Sequence, residues 1–136
     1  MDTKKKLPCI LLVDDDEVTN FLNQRVIEYY KITEHVEVKL NGKEALDFLT
    51  NKDQADHSLP SLILLDINMP VMDGWEFMEA YNQDERNQKK KINIVMLSTS
   101  NNPEDIQRAA NLPHVIAFKT KPLTSEMLEE IVTNYF

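Results

Sequence analysis

A chain of 136 residues has room for one domain of ordinary size with one hydrophobic core. Hydrophobic residues at 42% and charged residues at 28% are globular values, and no apolar stretch approaches the roughly 18 residues of a membrane span, so membrane insertion is not expected. A formal net charge of -8 argues against unaided binding to phosphate backbones, which needs clustered lysines and arginines, so nucleic acid is not expected as a direct partner.

The basic start, Met1 to Lys6, leads into an apolar run, Leu7 to Val13, that is too short for an export signal and ends in acids; a cytoplasmic location is expected. That run, interrupted only by Pro8, reads as a buried strand, and the single Cys9 within it reads as a small core hydrophobe. The strand ends on Asp14-Asp15-Asp16-Glu17, of which Asp16 and Glu17 read as helix-start charges. From Val18 the period changes: Val18, Phe21, Leu22, Val26, Tyr29 and Tyr30 predict the inward face of an amphipathic helix. Val36 and Val38 predict a short, less buried strand, Asn41-Gly42 a turn, and Ala45, Leu46, Phe48 and Leu49 a second helical stripe. Thr50 to His57 reads as a polar surface loop.

Leu62 to Leu65 is a second buried strand, and it stops on a carboxylate, Asp66, with Pro70 and Asp73-Gly74 close behind. Trp75, Phe77, Met78 and Tyr81 predict a helix that fades into a solvated loop, Asp84 to Lys91. Ile92 to Leu97 is the next buried strand and ends in Ser98-Thr99-Ser100. Asn102 caps a helix with Pro103 at its first position and Ile106, Ala109 and Ala110 on its apolar face. Val115 to Phe118 is a last short strand running into Lys119-Thr120-Lys121-Pro122, and Thr124 or Ser125 caps a closing helix that buries Met127, Leu128, Ile131 and Val132. Strand and helix alternate about five times with mostly continuous apolar strands, which predicts a parallel sheet covered on both faces. His35, His57 and His114 read as solvated.

In a parallel sheet every strand delivers its carboxyl end to the same edge. Asp14-Asp15, Asp66, Ser98-Thr99 and Lys121 therefore converge. Two carboxylates about 4 Å apart repel by roughly 4 kcal/mol at an effective dielectric near 20, so a cation is expected among them. Oxygen donors without Cys or His suit a hard ion, and few protein ligands with open positions suit Mg²⁺. With a Lys and a hydroxyl opposite, the groups form an incomplete clamp for a phosphoryl group. Neither glycine belongs to a nucleotide-cradling motif, so the phosphoryl group is expected on another molecule, with an Asp of this chain as its acceptor.

Four motifs in order, Ile10 to Glu17, Asn41 to Leu46, Leu65 to Gly74 and Lys121-Pro122-Leu123, make essentially the whole chain resemble the receiver domain of two-component response regulators. The resemblance implies a single receiver domain over 1–136, core about 7–135, with a flavodoxin-like α/β fold and strand order 2-1-3-4-5. It implies Asp66 as phosphoacceptor, Asp15, Asp66 and the backbone carbonyl of Asn68 as Mg²⁺ ligands, and Asp14 acting through water. Ser98 takes the place of the hydroxyl that bonds the phosphoryl group, Lys121 that of the Lys that pairs with it, and Phe118 that of a switching aromatic residue. The peptide before Pro122 is expected to be cis. Implied partners are a histidine kinase or histidine phosphotransfer protein as donor and a downstream protein target, with the chain a monomer or a phosphorylation-linked dimer. Phosphate is expected to favour a state with Ser98 drawn toward it and Phe118 turned inward.

Two departures stand out. Thr99 holds a place where the family usually has a small residue such as Ala, so its branched side chain is expected to narrow access to Asp66, and Asn111 to His114 lacks the Gly often found there. Two other functions stay open at this point: an interaction module of the same fold that never turns over phosphate, and a Mg²⁺-dependent phosphatase with an aspartyl intermediate. The latter calls for a second acid two residues after the nucleophile, where this chain has Asn68.

Overall fold

The structure is a computed structural model that describes residues 6–50, 59–88 and 90–136. Residues 51–57 of the predicted surface loop, His57 among them, and Lys89 lie outside the described residues, whereas Thr50 ends a helix. Five strands, β1 (Ile10–Val13), β2 (Val36–Lys39), β3 (Leu62–Asp66), β4 (Asn93–Ser98) and β5 (Val115–Thr120), form one parallel sheet in the order β2-β1-β3-β4-β5. The continuous apolar runs are the central strands: β1 and β3 are buried throughout and β4 from its second residue, while the edge strands β2 and β5 are half-buried. This is the expected consequence of helices packing on both faces of a parallel sheet.

The connections are α1 (Glu17–Tyr29), α2 (Gly42–Thr50), α3 (Gly74–Gln83), the single turn α4 (Glu85–Gln88), α5 (Pro103–Ala110) and α6 (Ser125–Tyr135). One face of the sheet, with Leu11, Val13, Ile63, Leu65, Ile94 and Met96, packs on Ala45, Leu49, Phe77, Met78 and Tyr81 of α2 and α3. The other, with Ile10, Leu12, Leu62, Leu64, Val95 and Leu97, packs on Ile27, Leu128, Ile131 and Val132 of α1 and α6. The caps at Asp16, Asn102 and Thr124 fall where expected, each accepting from a backbone N–H of the first turn it precedes, and Asp73 and Glu76 add a reciprocal capping box.

Several local expectations are corrected. The strand begins at Ile10 rather than Leu7, since Pro8 has no N–H for the ladder; Leu7 makes an isolated bridge to Thr33. Cys9 is buried as predicted, and burial pushes its thiol up to about 11. Helix α1 turns a different face inward. Asn20, Asn23 and Ile27 are buried, whereas Phe21 and Leu22 are 57% and 54% exposed and Val18, Tyr29 and Tyr30 are exposed too. The rotation is fixed by the Asn20 side chain, which donates to the carbonyl of Asp14 at 2.8 Å; Phe21 is left under the Arg25 guanidinium.

Asn41-Gly42 is a helix start, not a turn: Asn41 Oδ1 accepts from the Glu44 N–H, and Gly42 is needed because a Cβ there would lie 2.8 Å from Met72. The polar stretch after α3 is partly internal. Asn87 is buried and donates to the Tyr81 carbonyl, and Lys90 Nζ reaches the Leu49 carbonyl and Asn87 Oδ1. On α5 only Ala109 is buried, leaving Ile106 and Ala110 exposed. His35 pairs with Glu37 at 2.8 Å, and His114, at φ 73° in the segment that lacks the Gly often found there, sets its half-buried ring edge-on to Tyr81. Trp75 is half-buried beneath Arg108, 4.2 Å from the guanidinium carbon to the ring centroid.

The Tyr81 ring stacks on Phe77 deep in the core, and its hydroxyl is buried without a hydrogen-bond partner among the described residues, with burial pushing its pKa up to about 12. Tyr81→Phe removes an unsatisfied donor and almost no volume, so denaturant unfolding is expected to show unchanged stability or a gain of up to about 1 kcal/mol. A loss larger than that would mean the hydroxyl has a partner.

Candidate functional site

The ladder register brings the predicted residues to one sheet edge. Val13 pairs with Leu65 and Asp66 with Leu97, so Asp14 and Asp15 leave β1 level with Asp66, and Ser98 stands one residue beyond Asp66's neighbour on β4. Ser98 pairs with Thr120 on β5, which places Lys121 just past the same edge, and the Lys121 N–H donates to the Ser98 carbonyl at 2.7 Å. The Lys121-Pro122 peptide is cis, as expected.

The Lys121 ammonium is held between two carboxylates, 2.6 Å from Asp14 Oδ2 and 2.9 Å from Asp66 Oδ1. One carboxylate oxygen each from Asp14, Asp15 and Asp66 lie within 4.8 Å of one another. Asp14 and Asp66 are buried and Asp15 is exposed, so the cluster is open to solvent on the Asp15 side. Asp14 is fully engaged: its Oδ1 accepts from the Asp16 N–H at 2.9 Å and its backbone N–H donates to the Lys39 carbonyl. Asp15 makes no side-chain hydrogen bond among the described residues.

Burial drives the Asp66 carboxyl above its ordinary value, and the charges of Asp14 and Asp15 add to that against the pull of Lys121. For Lys121 burial acts downward, but the hydrogen bonds to Asp14 and Asp66 outweigh it and hold the ammonium above its ordinary value. Three hard oxygen donors around one bound ammonium fit a divalent cation such as Mg²⁺ by donor chemistry, the charge imbalance and an uncommitted Asp15.

The remaining predicted residues surround this cluster. Ser98 is buried and its Oγ accepts from the Ser100 N–H, while Thr99 is exposed. Asn68 lies exposed in the loop after β3. That loop is tightly closed, because the Gly74 N–H donates to the Ile67 carbonyl and a Cβ on Gly74 would stand 2.6 Å from the Asp66 carbonyl oxygen. Phe118 is not in the cluster; it pairs with Met96 in the ladder and is half-buried against the α2–α3 side of the core. Sequence reasoning missed Asn20, whose amide grips the Asp14 carbonyl. The spacing Asn20, Asn23, Ile27, at i, i+3 and i+7, was the available signal.

Comparison with known proteins points one way. A sequence model of the response regulator receiver domain matches residues 10–133. The probable methanogenesis regulatory protein FilR2 of Methanothrix harundinacea is 36% identical over 123 residues, 90% of this chain and 77% of that protein. The crystal structure of a two-component response regulator from Cytophaga hutchinsonii superposes with a TM-score of 0.86 at 32% identity, over 95% of this chain and 96% of that one. The phosphorylated cyanobacterial phytochrome response regulator RcpA superposes with a TM-score of 0.71 at 32% identity, over 91% of this chain and 87% of that one. The chain belongs to the receiver domains of two-component response regulators.

Proposed function

We propose that this receiver accepts a phosphoryl group from a phosphohistidine on a kinase or phosphotransfer protein onto Asp66, and signals the change through protein contacts. The observation that carries the reading is the Lys121 ammonium held jointly by Asp14 and Asp66 beside a third carboxylate. A relative of known structure described as phosphorylated supports it further.

Asp15, Asp66 and the Asn68 backbone carbonyl would hold Mg²⁺, with Asp14 acting through water. When bound, the ion would neutralise charge on the transferring oxygens. Asp66 supplies the nucleophile: a carboxylate oxygen attacks phosphorus, the P–N bond breaks, and its electron pair returns to the donor imidazole. Lys121, already beside Asp66, meets the negative charge of the arriving phosphoryl oxygens. Ser98 can donate its hydroxyl proton to that group while its Oγ still accepts from Ser100. The protein's share is positioning and electrostatics, and self-dephosphorylation by water would use the same groups.

Intact mass after incubation with phosphoramidate tests the assignment. Wild type is expected to gain one phosphoryl group only with Mg²⁺ present, and Asp66→Ala none; no gain in wild type would instead favour a phosphate-independent interaction module. Thr99→Ala should react faster than wild type with the same small donor, and equal rates would show that Thr99 does not limit access.

The cost of ionising buried Asp66 is measurable. Because the folded state holds the Asp66 proton more tightly than an unfolded chain does, ionisation of Asp66 costs stability. That cost is fully present above the raised pKa and vanishes as pH falls below the ordinary value of 3.8. Without divalent ions, Asp66→Asn is therefore expected to raise Tm by about 2–6 °C at pH 7, with the advantage shrinking on acidification. Equal Tm values at pH 7 would mean that the Lys121 pair already compensates the burial.

A further inference from the structure

We infer that Asn20 is a positioning residue for the metal-binding acids, acting through the backbone of Asp14. Its side chain is buried, 3% exposed, and its Nδ2 donates to the Asp14 carbonyl at 2.8 Å, while its own backbone N–H donates to the Asp16 carbonyl at 3.0 Å. The side-chain bond is particular to Asn20, whereas the backbone bond is the first intrahelical bond that any residue at this position makes.

The grip has a geometric consequence. The Asp14 carbonyl belongs to the same planar unit as the Asp15 N–H, so fixing that oxygen fixes the plane from which Asp15 projects. Beyond Asp15, the Asp16 N–H is bound to Asp14 Oδ1 at 2.9 Å. Asp15 itself has no side-chain hydrogen bond among the described residues, so the backbone is what sets its carboxylate within 4.8 Å of the Asp14 and Asp66 oxygens. Asn20 is what holds that backbone from the helix side.

A cost accompanies the arrangement. Asn20 Oδ1 is buried with no hydrogen-bond partner among the described residues, a desolvation loss that a Leu of similar size would not incur. Packing alone would therefore favour an apolar side chain at this position. What an apolar residue cannot supply is the donor to Asp14. Groups that orient metal ligands in this way commonly change metal affinity by about tenfold or more when removed.

The inference rests on the proposed roles of Asp15 and Asp66 as ligands, and the test separates the two. Mn²⁺ is titrated into unphosphorylated wild type, Asn20→Leu, Asn20→Ala and Asn23→Ala, with the free ion followed by electron paramagnetic resonance and thermal unfolding recorded on the same samples. Asn23 is equally buried on the same helix and makes no hydrogen bond to the acid turn, so it reports what a merely structural loss does. Both Asn20 variants are expected to weaken Mn²⁺ binding about tenfold, with Asn23→Ala losing stability at unchanged affinity. Wild-type affinity in either folded Asn20 variant, or equal weakening in Asn23→Ala, overturns the role of Asn20. Wild type that takes up no Mn²⁺ overturns the metal site itself. Should neither Asn20 variant fold, the wild type decides by nuclear magnetic resonance: the Asn20 side-chain amide signals must shift on adding Mg²⁺ with the same midpoint as the Asp15 backbone amide, and stationary signals overturn the inference.

Discussion

Everything at the carboxyl edge of this sheet depends on a charge imbalance: three carboxylates converge on one ammonium. At the observed spread of 4.8 Å and an effective dielectric near 20, each unscreened pair of like charges costs about 3 kcal/mol. Domains of this size keep only about 5–15 kcal/mol of net stability, so the arrangement is expensive to maintain. Lys121 offsets part of it by bonding Asp14 and Asp66 together, while burial, with the charges of Asp14 and Asp15 added, still holds the Asp66 carboxyl above its ordinary value. A site left with surplus negative charge and an open side is suited to take up a cation, and with it an anion that the carboxylates alone would repel.

The scaffold concentrates this strain without yielding to it. Asp14, Asp66 and Ser98 are anchored in or beside the three central strands, whose apolar runs are buried on both faces, so the site cannot relax by shifting a strand. The loop after Asp66 is fixed at both ends, by Gly74 against the Asp66 carbonyl and by the Gly42 N–H on the Met72 carbonyl. Between them Val71 sits at φ 68°, with the Met72 N–H turned back onto the Pro70 carbonyl at 2.7 Å. A β-branched residue in that region costs of order 1–3 kcal/mol, and it persists because the flanking contacts over-determine the loop.

The sheet and the convergence of acids, hydroxyl and Lys were legible because they rest on run length and on parallel topology, which a sequence displays directly. Helix α1 was not. Its most apolar residues, Phe21 and Leu22, lie outside, and its inward stripe carries two asparagines, so hydrophobic periodicity pointed to the wrong face. The rotation is decided by one long-range bond, Asn20 to the Asp14 carbonyl, and periodicity contains no information about such a bond. The same holds for Asn87 and Lys90, which a charge-rich stretch presents as solvated but whose side chains close the backbone ends of α2 and α3. Asn41-Gly42 reads as a turn from sequence, whereas the position opens a helix and what requires Gly42 is the approach of Met72.

The hydroxyl of Ser98 is the start of a connected series. Ser98 Oγ accepts from the Ser100 N–H, Ser100 Oγ from the Asn102 N–H, and Asn102 Oδ1 from the Glu104 N–H that opens α5. Each bond spans two residues, so the segment between β4 and α5 is a string of short turns hung from the strand end. Thr99 and Ser100 are exposed, and the helix beyond buries only Ala109, so little packing resists a shift of this segment. On the far side of Ser98 the resistance is of another kind, since its carbonyl is held by the Lys121 N–H at 2.7 Å. A phosphoryl group that drew Ser98 toward Asp66 would therefore meet a firm hold at the strand and a loose one at the helix. The compliant direction is α5, whose Arg108 covers Trp75 at the start of α3.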